Sequence, residues 1–147
     1  MVEPVEDTIS TGAYWDPDLW ELARAAYVAD LDNDPNAPGA FIGWIHQAIE
    51  LHAALGVEGR ARLRTEGSSS VVGAGRRGFN RHHPLRASTR SALEQAIVED
   101  RRAVGVVLSR SAFLREAVVA AVDAARGRAG GELTTIFGRL PNHPVRS

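Results

Sequence analysis

Apolar residues along this 147-residue chain gather in four stretches with helical spacing, separated by polar turn formers. Leu19, Leu22, Ala23, Ala26 and Tyr27 recur at three- and four-residue intervals behind Asp16-Pro17, an N-cap residue followed by the residue favoured at the first helical position. The run from Asp32 to Gly39 should break that helix. A second helix is predicted over about 40–55, burying Phe41, Ile42, Ile45, Ile49 and Leu51 or His52, with Gly56 as its stop. Residues 57–78 lose the periodicity: alternating arginines, three serines and GAGRRG read as a flexible basic linker. Phe79 to Ala87 should be extended, with Pro84 opposing a helix. A third helix over about 88–103 places Leu93, Ala96 and Ile97 on one face. A fourth, capped by Ser109 or Ser111, runs to Arg126 with Phe113, Leu114, Ala117, Val118, Ala121 and Val122 apolar.

The two halves share an order of extended segment, helix, turn, helix and glycine. AFIGWIHQAIELHAALG aligns with AFLREAVVAAVDAARG at an offset of 71–72 residues, which suggests an internal duplication. The expected organisation is an acidic unit over 1–57, a basic linker over 58–78, a basic unit over 79–128 and a C-terminal arm over 129–147.

Charge changes the picture more than composition does. Residues 1–58 hold eleven carboxylates and one base, Arg24, for a net of −10; residues 59–147 hold sixteen bases and seven carboxylates, for +9. All seventeen bases are arginine, whose planar guanidinium donates paired hydrogen bonds to phosphate or carboxylate. A basic half of this kind points to a polyanionic partner. The absence of cysteine excludes disulfides and thiolate metal sites and suits a reducing compartment. The N-terminal segment lacks the apolar run of a signal peptide, and no stretch approaches the roughly 20 apolar residues that span a bilayer. A soluble cytoplasmic protein is the expectation.

Several motifs dissolve on inspection. Gly73, Gly75 and Gly78 match a dinucleotide fingerprint, but no helix pattern follows and no βαβ unit surrounds them. His46 and Glu50 share a helix face without further ligands to complete a metal site. No nucleophile elbow or acid–base pair is present, so neither an enzyme nor a cofactor is expected. Trp15, Trp20 and Trp44 belong to a core or form an apolar patch for a protein partner. The densest constellation is basic: Arg60, Arg62, Arg64, Arg76, Arg77, Arg81, His82, His83, Arg86 and Arg90 form a nucleic-acid footprint, and Asn80 adds a group suited to base edges.

At these residues the C-terminal half resembles the ribbon-helix-helix DNA-binding superfamily. The likeness comprises an extended basic segment, a helix, a turn containing Gly105, and Ser109-Arg110-Ser111-Ala112-Phe113-Leu114-Arg115-Glu116-Ala117, similar to that family's second-helix opening. It covers roughly fifty residues. It departs from the family in Pro84, which removes a ladder donor within the strand, and in a longer turn. The N-terminal half resembles the same unit more faintly, with Ser10 to Trp15 as strand.

The resemblance implies a mainly α, ribbon-helix-helix fold with two strand-helix-helix units in one chain, either a homo-oligomer or an intrachain pseudo-dimer. It implies base contacts from alternate residues among Asn80, Arg81, His82, His83 and Arg86, joined by Ser10, Gly12 and Tyr14 of the first strand. Phosphate contacts would come from Arg76, Arg77, Arg90, Ser109, Arg110 and Ser111. Double-stranded DNA is the implied partner, for a partition-site binder or transcriptional repressor. The competing expectation is a helical interaction module, antitoxin-like or an adaptor, acting through the tryptophan-bearing acidic half.

Overall fold

The computed structural model describes residues 6–66 and 77–146. The chain order is β1 (Thr8–Trp15), α1 (Pro17–Asn33), α2 (Phe41–Ala54), α3 (Gly56–Glu66), β2 (Phe79–Arg86), α4 (Ala87–Val104) and α5 (Arg110–Arg128). Asp16 caps α1 by accepting the Asp18 N–H at 2.8 Å, with Pro17 opening the helix. Ser109 does the same for α5 through the Ala112 N–H at 3.0 Å. Gly105, at a φ of 71°, closes α4 in the left-handed region that few other residues enter cheaply.

The two strands come from distant parts of the chain and pair antiparallel, from Thr8 opposite Arg86 to Trp15 opposite Phe79. Paired residues share a face, so one side of this two-stranded ribbon carries Ala13, Trp15, His83 and Leu85 into the core. α5 packs on β1, α1 and α2, and α4 packs on α2 and α3. The buried cluster joins Trp15, Tyr27, Trp44, Ile49, Leu93, Phe113, Leu114 and Val118, drawing on both halves of the sequence.

The fold is mixed α/β, with five helices and one two-stranded antiparallel sheet among the described residues. This corrects the expected mainly α fold of two strand-helix-helix units, because five helices and two strands do not divide into two such units. The added element is α3, which occupies residues expected to be linker. Gly56, at a φ of 75°, does end α2, but the chain re-enters a helix at once.

What holds α3 is charge rather than an apolar face. Arg60 is fully buried, donates to both carboxylate oxygens of the equally buried Asp100 on α4 (2.9 Å at the shortest), and caps α2 through the Ala53 carbonyl at 2.7 Å. Arg64 bridges Asp100 and Glu116 at 2.8 Å each, and Glu116 also accepts from His52 at 2.7 Å. Burial pushes the Asp100 carboxyl up, but hydrogen bonds and charge from Arg60 and Arg64 outweigh it and hold its pKa below the ordinary value.

Residues 129–146 carry no helix or strand. They run back over the N-terminal half, where Leu133 and Leu140 pack on the core and Arg24 donates to the Gly138 carbonyl. No helix among the described residues is long and apolar enough to cross a membrane.

Candidate nucleic-acid interface

The ribbon's second face turns away from the helices. Its register brings Ser10, Gly12 and Tyr14 of β1 opposite Pro84, His82 and Asn80 of β2, and all six are exposed. Tyr14 lies over the backbone of Gly78, where any Cβ would overlap the phenol ring. Ser10 Oγ and His82 Nδ1 stand 3.5 Å apart, and the His82 ring covers Gly12 closely enough that a Cβ there would sit 3.3 Å from Cε1. The surface therefore presents one hydroxyl, one phenol, one imidazole and one carboxamide, spread over eight paired positions.

Pro84 fits the strand without loss. In an antiparallel pair, alternate residues turn their backbone N–H and C=O away from the partner strand. His46 Nε2 lies 3.3 Å from the Pro84 carbonyl and accepts from the Arg86 N–H at 3.3 Å, on the side of β2 away from β1. Position 84 thus belongs to the outward-turned set, and the missing proline N–H removes nothing from the ladder. At the opposite edge, Tyr14 N–H donates to Ser111 Oγ at 2.8 Å and Arg115 donates to the Tyr14 carbonyl at 2.9 Å, which pins β1 to the start of α5.

The base-contact candidates divide by strand alternation. Asn80, His82, Ser10, Gly12 and Tyr14 share the outward face. Arg81 and His83 alternate to the other side, so of the alternate residues expected to contact bases the outward set is Asn80 and His82. The Arg81 guanidinium stacks on the Trp20 ring at 4.6 Å. His83 is buried and accepts the Trp15 indole N–H at 3.0 Å; burial foremost, then the charges of Arg81, His82 and His46, depresses its pKa to about 4, so it is a neutral core residue. Arg86 pairs with Thr8 in the register, but its guanidinium reaches back to Glu50 at 3.2 Å.

The phosphate candidates are scattered. Arg76 lies outside the described residues. Arg77 is exposed. Arg90 donates to Glu94 at 2.8 Å and to Thr11 Oγ1 at 3.0 Å, and Arg110 pairs with the same Glu94 at 3.2 Å. Ser109 is the α5 cap, and Ser111 accepts from both Tyr14 N–H and Arg115. Arg60 and Arg64, expected in the basic footprint, are instead locked in the α3 network.

Sequence reasoning missed Arg115, whose guanidinium spans Tyr14 and Ser111, and Glu94, which holds two arginines; neither contact has a local signal. The tryptophans do not form a surface patch. Trp15 and Trp44 are buried, with Trp44 donating to Asp30 at 2.8 Å, and Trp20 packs against Trp15, Phe41 and Phe79. No protein-family model, characterised protein or solved structure matches the chain.

Proposed function

We propose that this protein binds double-stranded DNA with sequence preference by laying the β1–β2 ribbon in the major groove, as a partition-site binder or a transcriptional repressor. The observation that carries the reading is the outward ribbon face: six exposed residues, with Asn80, His82, Ser10 and Tyr14 offering hydrogen-bonding groups and no carboxylate among them. A two-stranded ribbon has the width the major groove admits, and a carboxamide is suited to bidentate pairing with adenine. The likeness of Ser109–Ala117 to the second-helix opening of ribbon-helix-helix proteins supports the same partner. Arginines beside the ribbon would add phosphate contacts that are independent of sequence and sensitive to salt.

The test is selection from a random duplex pool by the purified chain across a salt series, with the bound fraction sequenced. The expected result is a short enriched motif and affinity that falls steeply with salt. Salt-sensitive binding without an enriched motif would reduce the protein to a backbone binder. Absence of binding at low salt would remove DNA as its partner.

A further inference from the structure

Beside the ribbon, and separate from its outward face, the C-terminal arm roofs a cavity of about 760 Å³ against α1, the start of α2, and β2. That volume lies within the usual range for small-ligand sites, roughly 300–1,000 Å³. Its lining combines the cations Arg81 and Arg139 with the polar side chains Asn142 and His143 and the aromatic rings of Trp20 and Phe41, and no described carboxylate lines it. These groups come from chain segments up to 123 residues apart, so the convergence is a product of the fold and not of a local charge run.

Two of the cations are available. Arg24, also in the wall, is already engaged by Glu21 at 3.0 Å and by the Gly138 carbonyl, so it anchors the arm. Neither Arg81 nor Arg139 has an ion-pair partner among the described residues. The Arg81 guanidinium sits over Trp20, with its carbon 4.6 Å from the ring centroid. A cation–π contact uses none of the guanidinium's N–H donors, and those donors are what fork onto an oxyanion. Two guanidiniums without an ion-pair partner on one cavity repel each other, and an anion bound between them relieves that repulsion.

We propose that this cavity is a binding site for an oxyanion, a phosphate or carboxylate group, carried on a body that can lie against Phe41, Leu140 and Pro141. Arg81 from β2 and Arg139 from the C-terminal arm hold the anion, and Asn142 and His143 supply further polar groups. Occupancy joins the C-terminal arm to β2, so the ligand bears on the strand that carries Asn80 and His82. This site does not depend on the DNA reading.

The experiment uses phenyl phosphate and inorganic phosphate as probes, titrated into the full chain without DNA while the tryptophan indole N–H resonances are followed by NMR. Only Trp20 borders the cavity, whereas the Trp15 and Trp44 indoles are bonded to His83 and Asp30 in the core. The Trp20 signal is expected to shift saturably, with phenyl phosphate tighter than inorganic phosphate. Arg139→Ala and Arg81→Ala should each weaken binding by about tenfold or more, as loss of a charge-assisted hydrogen bond implies. Arg139 is exposed, and unchanged Trp15 and Trp44 signals certify that the variant is folded. No saturable shift, or wild-type affinity retained in both variants, overturns the site. Repeating the titration with duplex present identifies the source of the oxyanion. Competition makes the cavity a seat for a backbone phosphate, and simultaneous binding makes it a site for a free small molecule.

Discussion

His83 and Asn80 lie three residues apart on β2, and their side chains serve opposite ends of the protein's chemistry. His83 is held neutral under the ribbon with a pKa of about 4, against an ordinary 6.5, so its folded state resists protonation while the unfolded chain accepts it. A depressed pKa of this sign contributes stability in full above pH 6.5, and that contribution is lost as pH falls from about 6.5 to about 4. The shift corresponds to at most about 3 kcal/mol. We expect the urea midpoint to fall through that window, and His83→Gln, which keeps an acceptor for Trp15, to flatten the fall. A variant whose pH profile parallels the wild type would show that other groups set it. Asn80 is exposed and bonded to nothing described, so Asn80→Ala should leave stability unchanged while costing about 1–3 kcal/mol of binding to a preferred duplex. The same measurement on Arg81→Ala should leave sequence preference intact, because Arg81 alternates to the other side of the ribbon and stacks on Trp20. Equal loss of preference in both variants would contradict this placement.

Among the elements, α3 was the one hidden from periodicity. Its buried side chain is an arginine, and apolar spacing carries no signal for a helix that docks by ion pairs. Asp100→Ala would strip the buried Arg60 guanidinium of its bidentate partner and leave it only the half-exposed Glu99 carboxylate at 3.6 Å; breaking a buried pair in this way typically costs about 3–5 kcal/mol. Denaturant unfolding should show a large loss of midpoint for this variant, and a loss under about 1 kcal/mol would mean that α3 detaches freely. The other four helices announced themselves through apolar spacing and caps, since Asp16, Ser109 and Gly105 act on amides and carbonyls only a few residues away. The start of α4 shows the limit of that rule. Its Ser88 N–H donates at 2.5 Å to Glu6, a residue 82 positions earlier that no local motif would connect to it.

At the scale of the whole molecule, the segregation of charge along the chain is partly cancelled in space. Asp30 of the acidic half accepts both donors of Arg128 at 2.9 Å, and Glu50 pairs with Arg86, so the halves are joined by ion pairs as well as by the common core. Both ribbon strands come from one chain and carry different outward residues: Tyr14 faces Asn80, Gly12 faces His82, and Ser10 faces Pro84. A ribbon without internal symmetry should read a site without a palindrome. The motif enriched from a random pool is therefore expected to be asymmetric and occupied by one chain, as band-shift stoichiometry would report. A palindromic motif holding two chains would show that the ribbon is not the reading unit by itself.

The sequence by itself determined, to within about two residues, where four of the helices begin and end, that residues 79–86 are extended, and that arginine dominates the second half. Each of these follows from interactions reaching a few residues along the chain: caps, side-chain periodicity and proline's fixed φ. Only the tertiary structure decided that β1 and β2 pair, which of their residues turn outward, that Arg60 and Arg64 hold a fifth helix, and that Arg81 and Arg139 meet over one cavity. Strand alternation states which residues share a face but leaves open which face meets the core until a partner strand and α5 are in place. Arginine reads as a solvated cation until a carboxylate forty residues away, Asp100 in this chain, gives it a buried place.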